Sequence, residues 1–193
     1  MKTFFLTITF ALTTILCVAQ TTEHLSFKGV QIDGKLDEYV SKMKQNGFTH
    51  LGTEKGNAIL NGDFAGYKNC NVGVSTLSQN DLVYKISVLF PEQDKWSGLS
   101  INYFELKQLL IEKYGNPTEI VEKFDGYSEP KDDNRKMYEV KFDRCKYYSI
   151  WKTEKGQIKL SIDHSETSTC NVKLLYLDKI NGDKIKAKAK DDL

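Results

Sequence analysis

Three cysteines (Cys70, Cys145, Cys170) and three histidines (His24, His50, His164) are the side chains of the main chain body best equipped for chemistry. A thiol beside an imidazole makes a nucleophile, and two histidines one helical turn apart make half a metal site. Neither pattern is present as local spacing. The histidines are scattered, no CxxC pair exists, and no HExxH, GxSxG, GxGxxG or GxxxxGK[ST] run occurs. Asp132-Asp133 and Asp191-Asp192 are too sparse in ligands for a calcium loop and read as solvated charge. A Cys-His pair could still assemble in space. From the residues, however, the expectation is a protein that is not an enzyme, with no metal and no cofactor.

The N-terminus explains the fourth cysteine. Lys2, the apolar run Phe4–Val18 and the small residues Cys17 and Ala19 form a secretion signal, residues 1–19, with cleavage before Gln20. The run is shorter than the roughly 20 residues that span a bilayer, and no other segment approaches that length, so no transmembrane segment is expected in the mature chain. Ile15 and Leu16 precede Cys17 where lipoprotein processing requires small residues, so lipid anchoring is not expected. The protein is read as exported, to the periplasm or beyond. Without Lys2 the basic and acidic residues balance at 26 each, which removes the electrostatic case for a nucleic-acid partner.

Cysteines outside the cytoplasm can persist as disulfides. In an antiparallel meander Cys145 and Cys170 stand two strands apart, about 9.6 Å, beyond the roughly 7 Å a disulfide tolerates. If one bridge forms, Cys70–Cys145 is the expected pair, with Cys170 free.

The elements that must position these residues follow from periodicity. Lys35–Gln45 carries Leu36, Tyr39, Val40 and Met43 at helical spacing, with acids in its first turn and lysines in its last. Ile101–Tyr114 is a second helix, capped by Ser100, with Tyr103, Leu106, Leu109 and Leu110 inward and Gly115 and Pro117 ending it. Most of the rest alternates as strands, including Leu82–Phe90, Tyr138–Asp143, Tyr147–Lys152 and Ile158–Asp163. Shifting the chain by one hundred positions superposes Thr53-Glu54-Lys55-Gly56 on Thr153-Glu154-Lys155-Gly156 and Cys70-Asn71-Val72 on Cys170-Asn171-Val172. The overlap contains nine identities over positions 53–72. The expected fold is therefore α+β: two tandem units, each strand, helix and three-stranded antiparallel meander, with helices on one sheet face. The units are 25–91 and 99–182, the second carrying an inserted hairpin near Glu129–Lys136. Trp96 is expected as a wedge between the units, and 183–193 as a charged, frayed tail.

Ile32-Asp33-Gly34-Lys35-Leu36, Phe64-Ala65-Gly66-Tyr67-Lys68-Asn69-Cys70, Lys113-Tyr114-Gly115-Asn116-Pro117 and Asp178-Lys179-Ile180-Asn181 resemble a family of small exported bacterial proteins of unknown function. The tandem architecture also resembles the beta-lactamase inhibitor protein fold and related outer-membrane assembly lipoproteins. Neither resemblance implies a catalytic or binding residue.

The second Thr-Glu-Lys-Gly turn carries the one site expectation. A two-residue type I′ loop at Glu154-Lys155 needs positive φ at both residues, which neither tolerates well. A three-residue loop with Gly156 left-handed pairs Thr153 with Gln157 and sends Trp151 and Tyr147 away from the Ile158/Leu160/Ile162 face, beside Lys159 and Leu175. The same register sends Leu51 and Ile59 outward in the first unit. Two readings follow: a recognition platform of Trp151, Tyr147, Lys159 and Leu175, or a face covered by the insert or the other unit. The platform reading makes the protein a non-enzymatic binding module for a protein or glycan. The alternatives are an envelope assembly factor, and a hydrolase whose site is not contiguous in sequence.

Overall fold

The computed structural model describes residues 23–77, 81–126, 128–165 and 169–191. The expected leader at residues 1–19, its expected cleavage site and Cys17 lie outside the described residues. The chain is α+β. A short hairpin, β1 (Ser26–Phe27) and β2 (Val30–Gln31), leads into α1 (Leu36–Gln45) and then the strands β3 (Thr49–Glu54), β4 (Asn57–Phe64), β5 (Tyr67–Leu77) and β6 (Leu82–Leu89). The second half is α2 (Trp96–Tyr114), β7 (Glu119–Phe124), α3 (Asp133–Lys141), β8 (Cys145–Thr153), β9 (Gly156–His164), β10 (Cys170–Asp178) and α4 (Lys179–Asp191). Among the described residues no helix is long and apolar enough to cross a membrane.

All eight longer strands form one antiparallel sheet in the order β3-β4-β5-β6-β10-β9-β8-β7. Each half is a helix followed by a four-stranded meander, one strand more than the periodicity indicated. The last strands of the two halves, β6 and β10, pair at the centre from Leu89↔Lys173 to Lys85↔Leu177. The chain order therefore matches β4 with β8, β5 with β9 and β6 with β10. The hundred-residue repeat instead lays β4 on β9 and β5 on β10, one strand out of step with the architecture.

The core lies between one sheet face and the helices α1, α2 and α3. Leu36, Tyr39, Val40 and Met43 of α1 and Leu99, Tyr103, Leu106 and Leu110 of α2 pack on Leu60, Val72, Val74, Ile86, Leu160, Val172 and Leu174. α2 begins at Trp96, a full turn before the expected Ser100, because its cap comes from elsewhere in the chain. Asp133 Oδ2 accepts from the Ser97 backbone N–H at 3.2 Å and from Ser97 Oγ at 2.8 Å. A carboxylate at a helix N-terminus satisfies an orphan donor and suits the dipole, and the Ser97 bonds hold Asp133 below the usual carboxylate pKa. Trp96 is no wedge between halves; it packs at 5.0 Å from Phe124 and Tyr147, in the second half's core. Leu109, expected inward, is 49% exposed.

Two further expectations change. Tyr138–Asp143 is not a strand and the insert is not a hairpin: residues 133–141 form α3. Asp132 caps it by accepting from Arg135 N–H at 2.8 Å, and Met137 and Val140, at i and i+3, are its buried face. That spacing outweighs the short alternation of Tyr138, Val140 and Phe142. The charged tail is also ordered through Asp191 as α4, held by Asn181. Asn181 is completely buried, and its side-chain amide donates to Ile32 O (3.3 Å), Asp33 Oδ1 (2.9 Å) and Val83 O (2.9 Å).

Candidate binding surface

The turn at Glu154-Lys155 decides which side of the sheet every residue of β8 occupies. The observed pairing is Thr153↔Gly156, Lys152↔Gln157 and Trp151↔Ile158, so the loop has two residues. Neither Glu154 nor Lys155 adopts positive φ, so the steric objection to a type I′ turn does not arise. Thr153 Oγ1 donates to Gly156 O (3.0 Å) and accepts from Gly156 N–H (3.1 Å), and Lys179 N–H donates to Lys155 O (2.9 Å). In the first half the same four residues close Glu54↔Asn57 instead, with Lys55 (φ 48°) and Gly56 (φ 75°) both left-handed. One residue of register flips every side chain across the sheet.

The platform is corrected accordingly. Trp151 points into the core, 1% exposed, with its indole N–H donating to Gly115 O at 2.8 Å. Tyr147 lies on the same inner face, half-buried among Trp96, Phe124 and Tyr103; burial raises its phenol pKa to about 12. Lys159 and Leu175 pair with each other on the opposite face, so the four residues do not form one site. Leu51 and Ile59 are outward, 60% and 51% exposed. Gly156 shows how tightly the turn is held: a Cβ there would sit 2.1 Å from Leu177 O. Gly156→Ala is expected to cost about 1–3 kcal/mol, seen as a lower urea midpoint, whereas Gly66→Ala, where nothing lies within 4 Å, tests the effect of positive φ alone.

The cysteines do not bridge. Cys70, Cys145 and Cys170 are free thiols. Cys70 on β5 and Cys145 on β8 are four strand positions apart in the sheet order, roughly 19 Å at the inter-strand spacing, so the expected Cys70–Cys145 disulfide is ruled out by topology. Burial raises the thiol pKa of Cys70 to about 11 and of Cys145 to about 12, and raises that of Cys170. All three are held as neutral thiols, the unreactive form.

The histidines are in structural use. His50 bonds Thr53 Oγ1 at 2.9 Å, and His24 Nδ1 lies 3.0 Å from Asp178 Oδ1. His164 contacts Ser165 O (3.1 Å) and Asp143 Oδ1 (3.0 Å), which together raise its pKa. A histidine whose folded pKa is raised stabilises fully below its unfolded value, near 6.5. That contribution is lost as pH rises through the folded value. His164→Gln is therefore expected to flatten the loss of melting temperature that wild type shows as pH rises above the free-histidine value of about 6.5; an unchanged profile relative to wild type would show that these contacts carry no proton linkage. Among the described residues no group of three or more His, Cys, Asp or Glu is placed to hold a metal.

What remains is the second face of the sheet. None of α1, α2 and α3 covers it, and α4 leans over one end only, where Ile185 and Lys186 face Tyr84, Lys152, Gln157 and Leu177 across a cleft of about 380 Å³. Register places two rows across the bare strands. One runs Ile59, Gly73, Ser87, Leu175, Lys159, Ile150, Glu119; the next runs Asn61, Asn71, Leu89, Lys173, Ser161, Tyr148, Val121. Leu89, Leu175, Ile150, Tyr148 and Val121 are half-buried. Lys159 Nζ lies 4.8 Å over the Tyr148 ring, and Tyr148 Oη donates to Glu119 at 2.8 Å. Lys173 pairs with Asp163 at 3.0 Å; among the described residues Lys85, Lys152 and Lys159 have no such ion pair. The sequence reading found Lys159 and Leu175 by their alternation but missed Tyr148 and Ile150, because the wrong register hid them in the core. Comparison of the chain with protein-family models, with curated proteins and with solved structures returns no match.

Proposed function

We propose that this protein is exported and acts, without catalysis, as a binding module that engages a protein partner through the sheet face that α1, α2 and α3 leave uncovered. The observation that carries this reading is that face itself: eight strands wide, with Leu89 and Leu175 on the central strands and Ile150, Tyr148 and Val121 towards the β7 edge, the two groups separated by Lys159, Lys173 and Ser161. A broad surface of aliphatic side chains with a few charges is the composition of an interface centre. A glycan is the weaker occupant, since sugar rings stack on exposed aromatic faces and both tryptophans are buried, Trp96 at 7% and Trp151 at 1% exposure. The leader at residues 1–19 supports export.

The test compares Leu175→Glu, on the bare face, with Leu109→Glu, exposed on α2. Both are expected to fold. A partner captured from cell-envelope extract by the mature wild type should be lost, by more than tenfold in affinity, with Leu175→Glu only, as for a residue near the centre of an interface. Retention by both variants, or equal loss with both, would reject the sheet face as the site.

A further inference from the structure

The two halves differ most between their first and second strands. In the first half β3 turns into β4 through Lys55 and Gly56 alone; in the second, residues 125–144 separate β7 from β8. The first half joins its corresponding pair of strands without any such segment. Met137 and Val140 of α3 are buried against the core, but Tyr138 and Phe142 are 43% and 54% exposed. Their rings pack together at 4.3 Å. The segment also holds Arg135 and Arg144, the only arginines in a chain with 27 basic residues.

These four side chains form one cluster organised by Glu139. Glu139 is buried, and each of its oxygens takes one guanidinium through Nε: Arg135 at 3.0 Å and Arg144 at 2.6 Å. The arginine bonds hold the Glu139 pKa down and raise that of Arg144. Arg135 lies 5.3 Å over the Tyr138 ring, and Arg144 lies 5.2 Å over Tyr138 and 5.4 Å over Phe142. Two cations thus share one anion, with their side chains 61% and 44% exposed. Glu139 engages each at Nε, and among the described residues neither guanidinium has a second carboxylate partner for its Nη ends, the fork that grips carboxylates in pairs. Arg135, Arg144 and Lys131 also line an adjoining open cavity of about 450 Å³ with Phe124, Ser128, Pro130 and the acidic Asp125, Glu129 and Glu139. Asp125 and Glu129 are already paired, with Lys146 and Lys136, so the unbalanced charge of the lining is cationic.

We infer that this cluster is a second docking surface, independent of the sheet face, for an acidic segment of a partner protein in which an Asp or Glu lies beside a large apolar side chain. The carboxylate meets the Nη ends of Arg135 and Arg144, compensating the excess cation, and the apolar group lies on the Tyr138–Phe142 pair. Arg and Tyr are the residue types that dominate interface energetics, and stacking already holds both guanidinium groups in place, which lowers the ordering cost of binding. A lipid headgroup would neutralise the cations but leave the rings unused. An anionic glycan needs an open ring face to stack on, whereas the faces of Tyr138 and Phe142 are taken up by each other and by the two guanidinium groups.

The probe is a panel of capped decapeptides placing Glu or Asp next to Phe or Leu, with matched Gln/Asn and Ala versions, titrated against the whole mature protein. A sulfated oligosaccharide and phosphatidylglycerol vesicles are run alongside. Acidic-apolar peptides are expected to bind, and the Gln/Asn and Ala versions to bind at least tenfold more weakly. Phe142→Ala, a change at an exposed ring, should weaken binding severalfold with an unchanged melting temperature. Arg135→Gln with Arg144→Gln should abolish binding; because that pair also unpairs Glu139, the Phe142 variant remains decisive if the double variant unfolds. Equal binding of acidic and neutral peptides, no peptide binding at 1 mM on the order of ordinary weak contacts, or binding of the oligosaccharide or vesicles in place of the peptides would overturn the inference.

Discussion

Replacing Trp151 with alanine is expected to cost about 3–5 kcal/mol of folding stability, the range for emptying a large aromatic site in a core. The ring is 1% exposed, sits opposite Ile158 on the inner face, and supplies the hydrogen bond that satisfies Gly115 O at the end of α2. Its loss both opens a cavity and strands a helix-terminal carbonyl. For a chain of this size the melting temperature should fall by roughly 6–20 °C. Leu109→Ala, at an exposed position on the same helix, should stay within about 0.5 kcal/mol of wild type. A cost below about 1 kcal/mol for Trp151→Ala would mean the indole is not enclosed, and would restore the outward platform.

Asp178→Ala should be comparably damaging, and for a different reason. The Asp178 side chain is fully buried, and its oxygens accept from Leu25 N–H at 2.8 Å and Asn181 N–H at 2.8 Å, with His24 at 3.0 Å. Asn181 continues the network to Ile32, Asp33 and Val83, so one clasp joins the first described residues, the centre of the sheet and the start of α4. Two buried amides left without acceptors cost roughly 1–3 kcal/mol each, so about 2–6 kcal/mol is expected in a urea titration. The amides of Leu25 and Asn181 should lose their protection from hydrogen exchange. Asp178→Asn keeps one carbonyl oxygen and should fall between alanine and wild type. A wild-type midpoint with both amides still protected would show that the clasp contributes nothing.

That clasp also joins distant sequence segments: Ile32-Asp33 and Asp178–Asn181 meet through Asn181 although they lie at opposite ends of the described chain. Lys113–Pro117 supplies the carbonyl that holds Trp151, and Phe64–Cys70 turns β4 into β5 with Ala65 and Gly66 at positive φ. All four segments shape the fold. The surfaces proposed for binding lie elsewhere, in Tyr148, Ile150 and Leu175 on the sheet and in Arg135, Tyr138, Phe142 and Arg144 on α3.

The α+β character was legible in the sequence because it is written locally. The Leu36, Tyr39, Val40, Met43 stripe, the Gly115 stop and the alternation of β9 and β10 each need only neighbours a few residues away. The absence of any local catalytic spacing was legible for the same reason. Tertiary structure decided the rest. The start of α2 depends on a cap from Asp133, far along the chain, and α3 displaced a strand because Met137 and Val140 found core to cover. The Thr-Glu-Lys-Gly tetrapeptide forms one turn beside β5 and another, a residue out of step, where Leu177 O and Lys179 N–H close around Gly156. No local propensity distinguishes those two turns. Yet that single residue of register sends Trp151 into the core and Tyr148 to the surface, because side chains on a strand alternate and the pairing partner sets the phase.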